Sequence, residues 1–459
     1  MTNKVSTIEK GDIIEVKLDN LAYGGERVGH YNGMAVFVDK GVPSEKVRVK
    51  ITNKKKNYAK AEMLEVIDES QNRVSAKCSI YDDCGGCQLQ EIDYNYQLSL
   101  KKEIIKDALT RIGNLKNVKV NDIIAMDYPW YYRNKAQFPL KENNEGKIMA
   151  GFYKKGSHDI VPLSSCPIQH QLINRIAQKT LKEFNNNNKL SVYNENKHKG
   201  FLRHLIIRVG VCTNQATLTI VTNGHNLNAL DKIANRLMKD IPELVGVLQN
   251  INKEKTNVIM GEKTKVINGN SRYRDYINSI KYDISVDSFF QTNTMQTDKL
   301  YNTALEYANF KGNETLIDCY CGTGSIGLYM ANEVKKVIGI DLNSKAIKDA
   351  KDNARINNIK NADFIVADLR EKIKEIMDNH GGENTTLLFD PPRKGLNDKI
   401  INTVLDKMPE KVIYISCNPT TLARDLKKFN KKYEIKEIQG VDMFPQTYHI
   451  ESVTLLQKR

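Results

Sequence analysis

Hydrophobic and polar positions alternate with a two-residue period over residues 12–66, as in DIIEVKLDN, GMAVFVDK and EKVRVKITN, and the Gly-rich AYGGERVGHYNG supplies a turn between such runs. The alternation predicts half-buried strands and a small all-β module over residues 1–66. The period then changes. In YNYQLSLKKEIIKDALTRIG the residues Leu98, Ile104, Ile105, Ala108, Leu109 and Ile112 fall at helical spacing and Gly113 ends the run, which predicts one amphipathic helix. From Trp130 to about Ile284 strand and helix patterns mix, interrupted by the Asn-rich FNNNNKLSVYNENKHKG, read as a polar surface loop without chemistry.

After Asp287 the order becomes strict. ETLIDCY, KVIGIDL, DFIVADL, TLLFDPP and KVIYISCNP are each followed by a helical pattern, and such alternation requires a parallel sheet. YEIKEIQGVDMF and ESVTLLQK then follow each other without a helix, predicting an antiparallel hairpin at one sheet edge. The chain reads as three domains: a β module at 1–66, a central domain at 67–284 and an α/β domain at 285–459.

Charge adds a partner to this picture. A formal net charge of +14 on 459 residues points to a polyanion, and the basic loop NKKKNYAK with its embedded tyrosine suits single-stranded RNA. Arg133 and Lys135 in WYYRNKAQF, and Arg203 and His204 in FLRHLIIRVG, are further RNA contacts in this reading, with aromatics available to stack on splayed bases. The first residues hold no apolar signal core and no run approaches a membrane span, so a cytoplasmic protein without membrane association is expected. In that compartment the eight cysteines are better read as metal ligands or catalytic groups than as disulfides.

The chemistry gathers where the strands end. In DCYCGTGSIGL, glycines 322 and 324 allow a tight turn and close backbone approach to a ligand. The following strands run out at Asp341, Asp368 and, in DPPR, Asp390, with two prolines shaping the last loop. Together with Asp318 these acids favour a cationic adenosyl ligand, S-adenosylmethionine, over a dinucleotide whose pyrophosphate they would repel. Cys417 stands at the end of the fifth strand, either as a small core residue or as a nucleophile aimed into the cleft. Cys78, Cys84 and Cys87 in CSIYDDCGGCQLQ, with the distant Cys166 in SSCPIQ, fit a four-thiolate site that either an iron-sulfur cluster or zinc could fill.

With FFQTN, DCYCGTGSIGL, DPPRKGL, SCNPTTLARDL and FPQTYHIES in this order, the chain resembles the RNA uracil-C5 methyltransferase family over nearly its whole length. The resemblance implies a class I methyltransferase domain, Rossmann-like with a seven-stranded mostly parallel sheet, an N-terminal TRAM-like OB barrel and a central iron-sulfur α+β domain. It assigns S-adenosylmethionine contacts to Gln291, Tyr320, Gly322, Asp341, Asp368 and Asp390, the nucleophile to Cys417 and the base to Glu451. It also implies a 4Fe-4S cluster on Cys78, Cys84, Cys87 and Cys166, which is the pattern of the 23S ribosomal RNA branch.

Uracil C5 is a weak nucleophile until a thiolate adds to C6, and the C5 proton must then be removed before the thiol can leave, which is why a Cys and a carboxylate are both needed. Adenine-N6 enzymes carry an aromatic where this chain has Arg393, and cytosine-C5 RNA enzymes a Cys after the corresponding proline; neither pattern is present. The expected activity is methyl transfer to uridine C5 in 23S ribosomal RNA, with no obligate protein partner. The transfer-RNA branch, which typically lacks the TRAM module and the cysteines, is the rival within the chemistry. A non-catalytic RNA-binding or ribosome assembly factor that has kept the fold is the rival outside it.

Overall fold

The computed structural model describes residues 8–162, 164–187, 189–225, 227–382 and 384–459. Strands Ile13–Leu21, Arg27–Tyr31, Met34–Val38, Lys46–Lys54 and Tyr58–Asp68 close into a barrel, because the first pairs with both the second and the fourth. The two-residue period sends Val16, Leu18, Val36, Val38, Val47, Val49 and Ile51 inward, where they form its core.

The central sheet has seven strands, ordered from Lys263–Gly269 through Leu244–Ile251, Ala216–Thr222, Leu202–Val209, Lys135–Glu142 and Ile148–Tyr153 to Ile160–Pro162. Helices Gln171–Asn185 and Leu227–Asp240 pack on it. The Asn-rich tract is tied down by bridges between Val192 and Leu202 and between Asn194 and Lys199.

The third sheet carries the alternating units. Thr315–Cys319, Lys336–Asp341, Ala362–Val366, Thr385–Phe389 and Lys411–Ser416 are parallel, and Glu451–Lys458 and Tyr433–Val441 add antiparallel strands at one side. Seven strands were expected, and an eighth is present: Lys119–Val120 pairs parallel with Tyr433–Val441 at the edge. The reason lies upstream. Helix Tyr94–Ala108 and the segment after it bury Ile105, Leu109, Leu115, Val120 and Ile123 in the same core as Tyr433 and Ile438, so this part of the chain packs with the third sheet. The hairpin Arg272–Ile277 and Ile280–Ser285 likewise buries Tyr273, Tyr282 and Ile284 against helices of that sheet.

Among the described residues, no helix is long and apolar enough to cross a membrane.

Candidate active site

At the carboxyl ends of the parallel strands the backbone turns sharply into helices, and those turns wall a cleft. After Thr315–Cys319, Tyr320, Gly322 and Gly324 take φ of 74°, 55° and 76°. A Cβ on Gly324 would lie 3.0 Å from the Phe364 ring, whereas one on Gly322 would meet nothing within 4 Å. That part of the loop is open for a ligand to approach the main chain. Gly322 N donates to Asp341 Oδ2 at 3.0 Å and Asn343 N to Oδ1 at 2.8 Å, which fixes the carboxylate at the end of its strand.

Asp368 caps helix Leu369–His380 two residues beyond its strand. The Arg370 side chain grips it and holds its pKa below the usual carboxylate range. Asp390 is half-buried and desolvation of its carboxyl pushes its pKa up, and it accepts from Gln291 Nε2 at 3.3 Å. Asp318 is buried and is pushed up to about 7, mainly by that burial. The acids at this sheet end are therefore less negative together than a count of them suggests: burial favours the neutral form of two, and a third is paired with Arg370.

Cys417 lies in the turn between Lys411–Ser416 and helix Pro419–Phe429. Asn418 caps that helix, accepting from Thr420 N, while its Nδ2 donates to the Arg393 carbonyl at 3.1 Å and joins this turn to the DPPR loop. Pairing with the last strand sets what faces the thiol. Ser416 is opposite Ser452 in antiparallel register, so Cys417, one residue after the first, and Glu451, one residue before the second, flank the same rung.

Glu451 is reached through residues 442–450, a segment held from several sides. Lys101 Nζ donates to Asp442 Oδ1 at 2.6 Å and to the Phe444 carbonyl at 3.1 Å, and the Lys101 and Asp442 side chains are both fully buried. Tyr94 Oη donates to Asp442 Oδ2 at 2.9 Å, Tyr132 Oη to the Pro445 carbonyl at 2.9 Å, and Gln97 Nε2 to Gln446 Oε1 at 3.0 Å. The barrel also reaches this segment: Tyr23 packs edge-on to Tyr448 with ring centroids 5.5 Å apart. Arg27 beside it is buried, donating to the Gly25, Gly41 and Gln88 carbonyls and pairing with Glu91 at 2.7 Å.

A cavity of about 750 Å³ results, and Gln291, Tyr320, Gly322, Asp341, Asp368, Asp390, Cys417 and Glu451 all line it. Burial, followed by repulsion from Glu451 and Asp390, pushes the Cys417 thiol up to about 12, with Arg393 opposing. Glu451 is raised well above its ordinary value by burial and then by Asp390. Sequence reasoning did not single out Phe289, Thr292, Leu342, Phe444 or His449, which also line the cavity. All five sit inside stretches already noted, and the telling feature is tertiary: Phe289 and Leu342 are 65% and 67% exposed, large apolar side chains presented to the cleft. Thr292 Oγ1 and Arg133 Nε are buried with no hydrogen-bond partner among the described residues.

Cys78, Cys84, Cys87 and Cys166 line a second cavity, of about 350 Å³, and are all free thiols. Arg133 and Thr292 line both cavities. Among the described residues no group of three or more His, Cys, Asp or Glu side chains is arranged to hold a metal ion.

Of the anticipated RNA contacts, Arg133 and Lys135 face the second cavity. Arg203 does not fit that role. It is buried, and its guanidinium donates to the Asn252, Glu254 and Thr256 carbonyls, so it braces the central domain from within. His204 is pushed down to about 4 by burial, which leaves it neutral.

A sheet of this topology with acids and a glycine turn at its carboxyl edge defines a class I methyltransferase. Residues 93–459 match the family described as tRNA (uracil-5-)-methyltransferase, and residues 8–64 match the TRAM domain. An RNA methyltransferase of Bacillus cereus, described as uncharacterized, is 41% identical over 100% of this chain and 99% of its own. One from Halalkalibacterium halodurans is also 41% identical, over the same shares. The crystal structure of Pyrococcus abyssi tRNA (uracil-54, C5)-methyltransferase in complex with S-adenosyl-L-homocysteine superposes with a TM-score of 0.77 at 30% identity, covering 96% of this chain and 99% of that one. The chain belongs to the uracil-C5 RNA methyltransferase family and is a SAM-dependent enzyme of that type.

The cleft fits such a cofactor: its volume suits a ligand of that size, Gly322 leaves the main chain open, and exposed Phe289 and Leu342 offer apolar cover for an adenine.

Proposed function

We propose that the protein methylates uridine C5 in 23S ribosomal RNA through a covalent bond between Cys417 and C6 of the target base. The observation that carries this reading is that Cys417 and Glu451, each next to the Ser416–Ser452 rung, line one cavity with Asp341 and Asp390. Asp341, Asp368, Asp390, Gln291, Tyr320 and Gly322 would hold the cofactor, which supplies an electrophilic methyl group when bound. Cys417, once deprotonated, adds to C6 and leaves C5 electron-rich. After methylation C5 carries both the methyl group and its original proton. Glu451 removes that proton, the C5–C6 double bond re-forms and the Cys417 thiolate leaves. Burial raises both groups, so each resists ionisation more than it would in water. Arg393, the cation opposing both shifts, favours the charged forms that the reaction needs.

The test is a pair of variants. Cys417→Ala should bind RNA yet form neither product nor adduct, while Glu451→Gln should accumulate a denaturation-resistant protein–RNA adduct that already carries the methyl group. An adduct mapping to Cys319 or Cys321 would overturn the assignment.

A second reading, transfer RNA as substrate, draws support from the Pyrococcus enzyme. Its match over 96% of this chain means that a barrel and central domain do not separate the two branches. Loss of 5-methyluridine from 23S ribosomal RNA, and not from transfer RNA, in cells lacking the protein would decide between them.

For the second cavity the proposed occupant is a 4Fe-4S cluster held by Cys78, Cys84, Cys87 and Cys166. What supports this occupant is that all four thiols line one cavity, and a cubane would offer a separate iron to each thiolate. The cluster would tie the segment 78–90 to the central domain. Anaerobically purified protein should contain iron and acid-labile sulfide; stoichiometric zinc without sulfide would replace the cluster by a zinc site.

A further inference from the structure

The segment Tyr128–Tyr131 takes no part in the cleft chemistry, yet it presents aromatic surface two residues before Arg133, which lines the cleft. Tyr128 is 56% exposed and stacks on Tyr131 with ring centroids 6.4 Å apart and planes 25° from parallel. Between them in sequence stands Trp130, the chain's single tryptophan, whose inner side packs against the cluster of Met126, Tyr132, Cys166 and Ile168. Exposed Lys77 brings its Nζ to 5.9, 5.0 and 5.0 Å from the ring centres of Tyr128, Trp130 and Tyr131. Among the described residues no carboxylate pairs with this lysine, so its charge is available to a phosphate.

The backbone there is under constraint. Tyr131 has φ of 53°, a conformation that bulky residues avoid, and its N–H is held by the Pro167 carbonyl at 2.9 Å. Two residues on, Arg133 lines both cavities, and Phe444, which like Trp130 packs against that cluster, lines the catalytic one. The aromatic group is thus joined through Arg133 and the shared cluster to the wall of the cleft.

We propose that Tyr128, Trp130 and Tyr131, with Lys77 beside them, form a stacking platform that receives an unpaired nucleotide flanking the target uridine. The proposal rests on the reading that the substrate is RNA. Aromatic faces accept any base and a neighbouring cation accepts its phosphate, which is how proteins grip single strands. Such a platform would hold the strand while the target base enters the cleft. The competing explanation is internal: the rings exist to fix Lys77 and with it the cysteine-bearing segment that starts at Cys78.

The experiment uses the full-length protein and a short, uridine-centred, single-stranded oligoribonucleotide with 2-aminopurine beside the uridine. The single tryptophan makes intrinsic fluorescence a direct reporter. Wild-type protein should show quenching of both Trp130 and 2-aminopurine on binding. Tyr128→Ala should weaken oligonucleotide affinity about tenfold and relieve the 2-aminopurine quenching, with affinity for S-adenosylhomocysteine unchanged and Tyr128→Phe restoring wild-type behaviour. Lys77→Met should lower the salt dependence of binding by about one counterion. Unchanged affinity in Tyr128→Ala, or a lowered melting temperature with unchanged affinity, would overturn the platform and leave the rings as an anchor for Lys77. If wild-type protein fails to bind the oligonucleotide, or binds it without quenching Trp130, the platform falls, while the family assignment stands on its own evidence.

Discussion

Cys417 and Cys87 are both half-buried thiols pushed up to about 12, mainly by desolvation, but the second cause differs. Around Cys417 the charges are Glu451 and Asp390 against Arg393, whereas Cys87 has a Gln90 hydrogen bond and otherwise faces Cys166, Cys84 and Cys78. Burial alone therefore does not distinguish a nucleophile from a ligand. The neighbours do. A thiolate formed beside a carboxylate, in a cleft large enough for a cofactor and a base, can add to the base and leave again once the carboxylate has taken the C5 proton. Thiols that repel one another as thiolates need a cation among them. The two regions also share a wall, Arg133 and Thr292, so disturbance of one can be felt in the other.

The largest effect expected from this comparison is chemical. Cys417→Ala should abolish methyl transfer from radiolabelled cofactor to RNA while the melting temperature stays near wild type. Cys84→Ser should do the converse, lowering thermal stability and metal content while the remaining folded fraction still forms an adduct. Equal loss of activity per folded molecule in both variants would erase the distinction between the two thiol sites.

Next in size is the brace behind Glu451. Lys101→Met leaves the buried Asp442 without its cation and should cost about 3–5 kcal/mol in denaturant unfolding, as breaking buried ion pairs does. The double variant Lys101→Met with Asp442→Asn should recover much of that loss, since no unpaired charge remains. Recovery failing altogether would mean that hydrogen-bond geometry, and not charge, holds residues 442–450.

The pH dependence follows from the two raised groups. A raised thiol and a raised carboxyl both become charged only as pH increases, so low pH suppresses both steps. Single-turnover adduct formation on RNA containing 5-fluorouridine, where fluorine blocks release, should accelerate by about tenfold per pH unit in the neutral and mildly alkaline range. A flat profile there would show that the thiolate is already formed in the resting cleft.

A smaller effect is expected at the cofactor turn. Gly324→Ala places a Cβ on a left-handed backbone and against Phe364, which should cost about 1–2 kcal/mol and raise KM for the cofactor more than it lowers kcat. The smallest is on the barrel surface. Lys55→Gln with Lys56→Gln should change stability by no more than about 0.5 kcal/mol and reduce only the salt dependence of RNA binding, because both side chains are exposed.

Much of the cleft was legible in the linear pattern. Alternating apolar runs and helical spacings determined a parallel sheet, and an open parallel sheet collects ligand-binding residues at its carboxyl edge, so Gly322, Asp341, Asp390 and Cys417 could be read from where the runs stop. The barrel followed from its two-residue period. The tertiary structure alone decided three things. It brought Glu451 to Cys417, because strand register between 411–416 and 451–458 is a pairing across chain distance that no local pattern encodes. It added Lys119–Val120 to the catalytic sheet and the barrel's Tyr23 to the segment before Glu451, since a buried apolar surface recruits whichever segment covers it. And it separated arginines that composition treats alike: Arg203 turns its guanidinium inward onto the Asn252, Glu254 and Thr256 carbonyls, while Arg133 stands at the wall of both cavities. Hydrogen-bond satisfaction is a property of the packed interior, which is why the charge pattern announced an RNA partner but not which cations would meet it.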